Sequence, residues 1–115
     1  MLLHHGTAKV RAEAILRDGP DLDFVEPFGY DRAEGFSAAP AHGPFLQGNP
    51  VVVARNKATA FSDDGGPAIL EFEVPDEVAL LAGAPNDVEY RFQPGYGYEE
   101  LMAIWPTLPK RLLIP

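Results

Sequence analysis

Frequent prolines and glycines limit this chain to short secondary-structure elements. The 115 residues include 12 prolines and 11 glycines. Proline ends regular structure because it lacks an N–H donor, and glycine does so because its backbone is conformationally permissive. This pattern disfavours a helical bundle. We expect short strands and short helices joined by many irregular segments.

The composition is typical of a single globular domain over residues 1–115. Hydrophobic residues make up 46% of the chain and charged residues 23%, which suffices for a buried core at this length. No segment approaches the roughly 18 consecutive apolar residues of a membrane helix, and the first residues do not resemble a signal peptide. Because the chain has no cysteine, disulfide and thiol chemistry are ruled out. We expect a soluble, cytoplasmic protein.

The chain is acidic, with 17 acidic side chains, 9 basic ones and a formal net charge of −8. Proteins that bind nucleic acids usually carry a basic surface that neutralises phosphates. The charge therefore disfavours a nucleic-acid partner.

The first twenty residues predict a strand, a turn and a helix. The apolar strand is expected to end in His5 and the chain to turn at Gly6. Thr7 is the expected N-cap of a helix that ends at Asp18. This arrangement would direct the imidazole of His5 and the neighbouring backbone groups into a cleft.

Further elements are predicted where apolar residues recur at the strand or the helix period. Strands are predicted over 35–39, 68–74, 87–92 and 111–114, and helices over 50–61 and 98–105, with a strand at 51–53 as an alternative; 77–82 is ambiguous. Strands and helices mixed without regular alternation indicate an α+β domain. The irregular segment 20–34 is a candidate lid because it is long and contains aromatic residues.

Two common kinds of catalytic site are disfavoured. Ser37 and Ser62 lack the flanking glycines of a nucleophile elbow. The chain has three histidines, at positions 4, 5 and 42. His4 and His5 are adjacent on a predicted strand and would face opposite sides, so we do not expect a metal site.

Several short motifs follow one another in a distinctive order. They are His5-Gly6-Thr7, Ala14-Ile15-Leu16 with Gly19, Gly35-Phe36-Ser37, the stretch 54–62, the strand 68–75 and Val88-Glu89-Tyr90. In this order they resemble the histidine–tyrosine–glutamate branch of the ADP-ribosyltransferase superfamily, which includes diphtheria toxin and the poly-ADP-ribosylating enzymes. The resemblance covers most of the chain up to about Phe92. It implies a compact fold of short mixed β-strands split around a cleft, with two or three helices.

The resemblance implies a site that binds NAD as a substrate, without a metal. In this family the histidine anchors a ribose of NAD, and the backbone of the next glycine holds the nicotinamide amide. Two aromatic residues enclose the nicotinamide ring, and a strand glutamate stabilises the positive charge that forms as nicotinamide leaves. These roles fall to His5, to Gly6 with Thr7, to Phe36 or Ser37 together with Phe61, and to Glu89.

The chain departs from the family pattern at both aromatic positions. Ser37 stands where the family usually has a tyrosine, and Phe61 can stack on a ring but has no hydroxyl. Tyr30 is an alternative for the missing tyrosine. Glu99 and Glu100 are rivals of Glu89 for the catalytic role, and strand alternation favours Glu89.

The implied function is that of an NAD-dependent mono-ADP-ribosyltransferase or an NAD glycohydrolase, which transfers ADP-ribose to a target or to water. By analogy with the family, a chain this short is expected to be a bacterial toxin or effector with a neutralising protein partner. Two alternatives stay open. One is a catalytically inactive module that binds NAD or ADP-ribose, and the other is an RNA 2′-phosphotransferase, which shares the fold but needs a basic cleft.

Overall fold

The computed structural model describes residues 1–23, 35–40, 65–83 and 90–114. In chain order these residues form β1 (Leu2–Ala8), α1 (Lys9–Asp18), β2 (Phe36–Pro40), β3 (Pro67–Glu73), α2 (Asp76–Ala82), β4 (Tyr90–Phe92), α3 (Tyr98–Ile104), a 3₁₀ helix (Trp105–Thr107) and β5 (Lys110–Leu113). The predicted α+β class is confirmed. No helix in these four ranges is long and apolar enough to cross a membrane.

The strands form one five-stranded sheet in the order β4-β2-β1-β3-β5. All ladders between these strands are antiparallel, where mixed strands were expected. The longest ladder joins β1 to β3 and extends from the pair Leu2–Glu73 to the pair Ala8–Pro67. β1 therefore lies at the centre of the sheet.

One face of the sheet, which we call the packed face, lies against the helices. Alternation places Leu3 and His5 of β1 on this face with their partners Phe72 and Leu70 of β3. The core comprises Leu3, Ile15, Phe36, Leu70, Phe72, Phe92, Leu101 and Trp105, together with smaller side chains. Helices α1 and α3 each contribute a buried residue to it, so they cover the packed face.

The structure corrects the predicted start of α1. Thr7 lies within the β1–β3 ladder, and Ala8 occupies the N-cap position without a side-chain hydrogen bond. The predicted turn at Gly6 and the predicted cap at Thr7 are therefore wrong. The ladder with β3 extends through this segment, and the carbonyl of Gly66 accepts a hydrogen bond from the N–H of Lys9 at 2.9 Å.

The other described elements lie close to their predicted positions. The segments predicted at 35–39, 68–74, 98–105 and 111–114 correspond to β2, β3, α3 with the 3₁₀ helix, and β5, and the ambiguous segment at 77–82 is a helix. The strand predicted at 87–92 is described from Tyr90 onward. The element predicted at 50–61 and residues 24–34 of the candidate lid, with Tyr30, lie outside the described residues.

Candidate functional site

The sheet opens between β1 and β2. The ladder that joins these strands consists of two pairs and ends at His4. Both strands continue past this point, β1 as far as Ala8 and β2 back to Phe36, but no further pair links them in the described part of the chain. We call the space between residues 5–8 of β1 and residues 36–38 of β2 the β1–β2 opening.

The backbone of Gly6 points into this opening. In an antiparallel ladder, alternate residues direct both their N–H and their C=O groups toward the same neighbouring strand. Met1 and Val74 exchange two hydrogen bonds, of 2.6 and 2.9 Å, and the N–H of Lys9 donates to Gly66 at the other end of the ladder. Odd-numbered residues therefore bond toward β3 and even-numbered ones point toward β2. Gly6 thus presents one donor and one acceptor to the opening.

His5 bridges the opening with its side chain. Its Nδ1 lies 2.6 Å from the carbonyl oxygen of Ser37. Because a carbonyl oxygen only accepts, Nδ1 carries the proton, and in the neutral ring Nε2 is the hydrogen-bond acceptor. The imidazole packs on Phe36 with the ring centroids 4.4 Å apart, so the tautomer and the position of the ring are both fixed.

The described site residues have different surroundings. His5, Gly6 and Ser37 meet at the β1–β2 opening. Phe36 is only 6% exposed and lies between the rings of His5 and Phe72, so it supports the imidazole and leaves no open face for a ligand ring. Thr7 is buried within β1.

Two predicted site residues, Phe61 and Glu89, lie outside the described residues. In the sequence Glu89 directly precedes β4, the strand that pairs with β2. The carboxylate of its rival Glu99 accepts a hydrogen bond from the N–H of Gly95, at 3.1 and 3.2 Å to its two oxygens. Glu99 therefore has a structural role in the turn before α3.

A second polar cluster, which the sequence did not reveal, crosses the face of the sheet opposite the packed face. The Nε2–H of His4 donates to the carboxylate of Glu71 at 2.9 Å, and the Nε–H of Arg111 donates to the other oxygen at 2.6 Å. The three residues are Cα partners on β1, β3 and β5. The Arg111 guanidinium, assisted by His4, holds the pKa of Glu71 below its ordinary value against the opposing effect of burial.

Acid is expected to remove the stability that this cluster contributes. The pKa of Glu71 is lower in the folded protein than its ordinary value of 4.5. Its contribution is therefore complete above that pH and is lost as the pH falls through the lowered pKa. We expect the free energy of unfolding, measured with urea across this range, to fall less steeply with acid in Arg111→Gln than in the wild type. Lys9→Gln, which breaks an exposed pair with Glu13, is the control; equal slopes for Arg111→Gln and wild type would contradict the assignment.

Gly35, the first residue of the motif before Ser37, has a structural role. A Cβ atom at this position would lie 2.6 Å from the carbonyl oxygen of Phe92, so glycine allows β2 and β4 to approach each other. An open cavity of about 590 Å³ lies beside it, lined by Leu22, Gly35, Gln93, Pro94 and Tyr96. This cavity does not include His5, Gly6 or Ser37 among its described lining residues.

Known proteins provide no guide to the function of the β1–β2 opening. Comparisons of the chain with protein-family models, with curated proteins and with solved structures find no match. The functional assignment therefore depends on what the groups at the β1–β2 opening can bind.

Proposed function

We propose that this chain binds NAD at the β1–β2 opening and cleaves the bond between nicotinamide and ribose, transferring ADP-ribose to a target or to water. The observation that carries the proposal is the direction of the Gly6 backbone, whose N–H and C=O both face the opening. A primary carboxamide offers an acceptor oxygen and N–H donors side by side. It can therefore exchange two hydrogen bonds with one residue, as the partner residue in an antiparallel ladder does.

His5 supplies the second contact with NAD in this proposal. Its Nδ1–H is held by Ser37 and its ring by Phe36. We therefore assign the contact with a ribose hydroxyl to this imidazole, because its position is already fixed. A group that is already fixed loses little conformational entropy when it binds a ligand.

Glu89 supplies the catalytic carboxylate, on the basis of the family resemblance. When the bond between C1′ of the ribose and the nicotinamide nitrogen breaks, the electron pair leaves with nicotinamide, which becomes neutral. Positive charge then builds on the ribose, and a nearby carboxylate stabilises it. An oxygen or nitrogen of the acceptor forms the new bond to C1′ and releases its proton.

The nicotinic acid analogue of NAD tests the pairing with Gly6. This analogue has a carboxylate in place of the carboxamide, so it cannot donate to the carbonyl of Gly6 and places two acceptors against each other. We expect it to bind at least about 10-fold more weakly than NAD in isothermal titration calorimetry. Equal affinities would refute the carboxamide pairing, and failure of NAD itself to bind would refute the proposed function.

Nicotinamide release separates the enzyme from the alternatives. If the wild type binds NAD but releases no nicotinamide, the chain is an inactive binding module. His5→Ala should weaken NAD binding, because it removes the ribose contact. Activity on a 2′-phosphorylated RNA would support the phosphotransferase, which the net charge of −8 disfavours.

A further inference from the structure

Two buried polar atoms near the opening have no partner that the described residues supply. They are Nδ1 of His4 and Oγ of Ser37, and His4 is only 3% exposed. Nearly all buried polar atoms in folded proteins are hydrogen-bonded, and each exception calls for an explanation. The partner of these two atoms is an ordered water, a group outside the described residues or a polar group of a ligand.

The two atoms belong to one small area on the face opposite the packed face. Ala39 is the Cα partner of His4, Ser37 lies two residues before Ala39 on β2, and Gly6 lies two residues after His4 on β1. Alternation along each strand places these four residues on the same face. Gly6 and Ala39 are small, so their side chains do not fill the space between His4 and Ser37.

The spacing between the two residues suits a single bridging group. Diagonal positions on neighbouring antiparallel strands lie roughly 7–8 Å apart, and farther apart where the strands diverge. The two side chains do not bond to each other, because neither atom has a partner among the described residues. A single oxygen atom that bonds to both would join the two strands at this point.

The tautomer of His4 determines which group fits. Its Nε2–H donates to Glu71, so in the neutral ring Nδ1 is an acceptor. The bridging group bonds to Nδ1 and also to the Ser37 hydroxyl. A hydroxyl group suits both positions because it donates and accepts, whereas an ionised phosphate or carboxylate has no proton to donate to an acceptor.

We propose that His4 and Ser37 together bind a sugar hydroxyl of a ligand that enters the β1–β2 opening. In the case of NAD this group is a ribose hydroxyl, and that form of the inference rests on the proposed function. His4 and His5 would then both contact the ligand, each from a different face of β1.

The first test combines Ser37→Ala with NAD analogues that lack single ribose hydroxyls. Ser37→Ala should bind NAD about 3- to 10-fold more weakly than the wild type. For the wild type, removal of one particular ribose hydroxyl should weaken binding by a similar factor. For Ser37→Ala, removal of that same hydroxyl should weaken binding no further. Thr107→Val, which removes an exposed hydroxyl on the 3₁₀ helix, should bind NAD as the wild type does. Ser37→Ala should fold about as stably as the wild type, because the described residues make no hydrogen bond with this hydroxyl that the substitution could break.

The second test observes His4 directly. In protein labelled with ¹⁵N-histidine, the Nδ1 resonance of His4 should move when NAD, adenosine or ribose saturates the site, since the lone pair gains a hydrogen bond. If adenosine or ribose moves this resonance and NAD does not bind, the inference stands and the proposed function fails. If no probe moves it and Ser37→Ala binds every probe as the wild type does, no ligand hydroxyl bridges the two atoms. That result would overturn the inference. The proposed function would then be decided by the comparison of NAD with its nicotinic acid analogue.

Discussion

Replacing Glu89 by glutamine is expected to slow nicotinamide release by about 10²- to 10³-fold, with NAD affinity changed far less. Glutamine keeps the size and shape of the side chain but removes the negative charge that stabilises the developing positive charge on the ribose. The loss should therefore appear in kcat for nicotinamide release and not in the binding constant measured by calorimetry.

The two rival carboxylates provide matched controls for this prediction. The carboxylate of Glu99 accepts the N–H of Gly95, and Glu100 is exposed on α3. Neither observation gives the carboxylate a role at the β1–β2 opening. Glu99→Gln and Glu100→Gln should therefore keep nicotinamide release within a few-fold of the wild type. If one of them abolishes release while Glu89→Gln does not, the catalytic carboxylate has been assigned to the wrong residue.

Replacing Trp105 by alanine is expected to lower the free energy of unfolding by about 3–5 kcal/mol. Trp105 is 1% exposed, its ring centroid lies 5.3 Å from that of Phe72, and its Nε1–H donates to the carbonyl of Leu16 at 3.3 Å. The substitution leaves a cavity between α1 and the packed face and removes that hydrogen bond. A loss of this size is a large fraction of the roughly 5–15 kcal/mol that stabilises a typical domain.

Urea unfolding measures this effect, and Tyr96→Ala is its control. Tyr96 is also aromatic but 58% exposed, so its replacement should change the unfolding free energy by less than about 0.5 kcal/mol. Similar losses for the two variants would show that the core is not centred on Trp105.

Local patterns in the sequence predicted those elements whose structure depends on one segment alone. The alternation of apolar and charged residues identified β3, since Leu70 and Phe72 are buried and Glu73 is exposed. The breaks at proline and glycine bounded most of the described elements. The cap predicted at Thr7 failed because the ladder with β3 decides where β1 ends, and this pairing partner is distant in the sequence.

The candidate site was predictable only in part, for the same reason. The order of the motifs brought His5, Gly6 and Ser37 into one hypothesis, and they do meet at the opening. The cluster of His4, Glu71 and Arg111 depends on the register of three strands that are far apart in the chain. Spacing along the sequence does not contain that register, so both the cluster and the opening became visible only in the structure.

The alternating direction of the β1 backbone also has a consequence for hydrogen exchange. The amides of Leu3, His5 and Thr7 bond toward β3, so they should exchange only when the centre of the sheet unfolds. The amide of Gly6 faces the opening and has no ladder partner there among the described residues, so it should exchange faster than the amides on either side of it. One strand would then show two exchange regimes, and a ligand that accepts the Gly6 N–H would slow the faster one selectively.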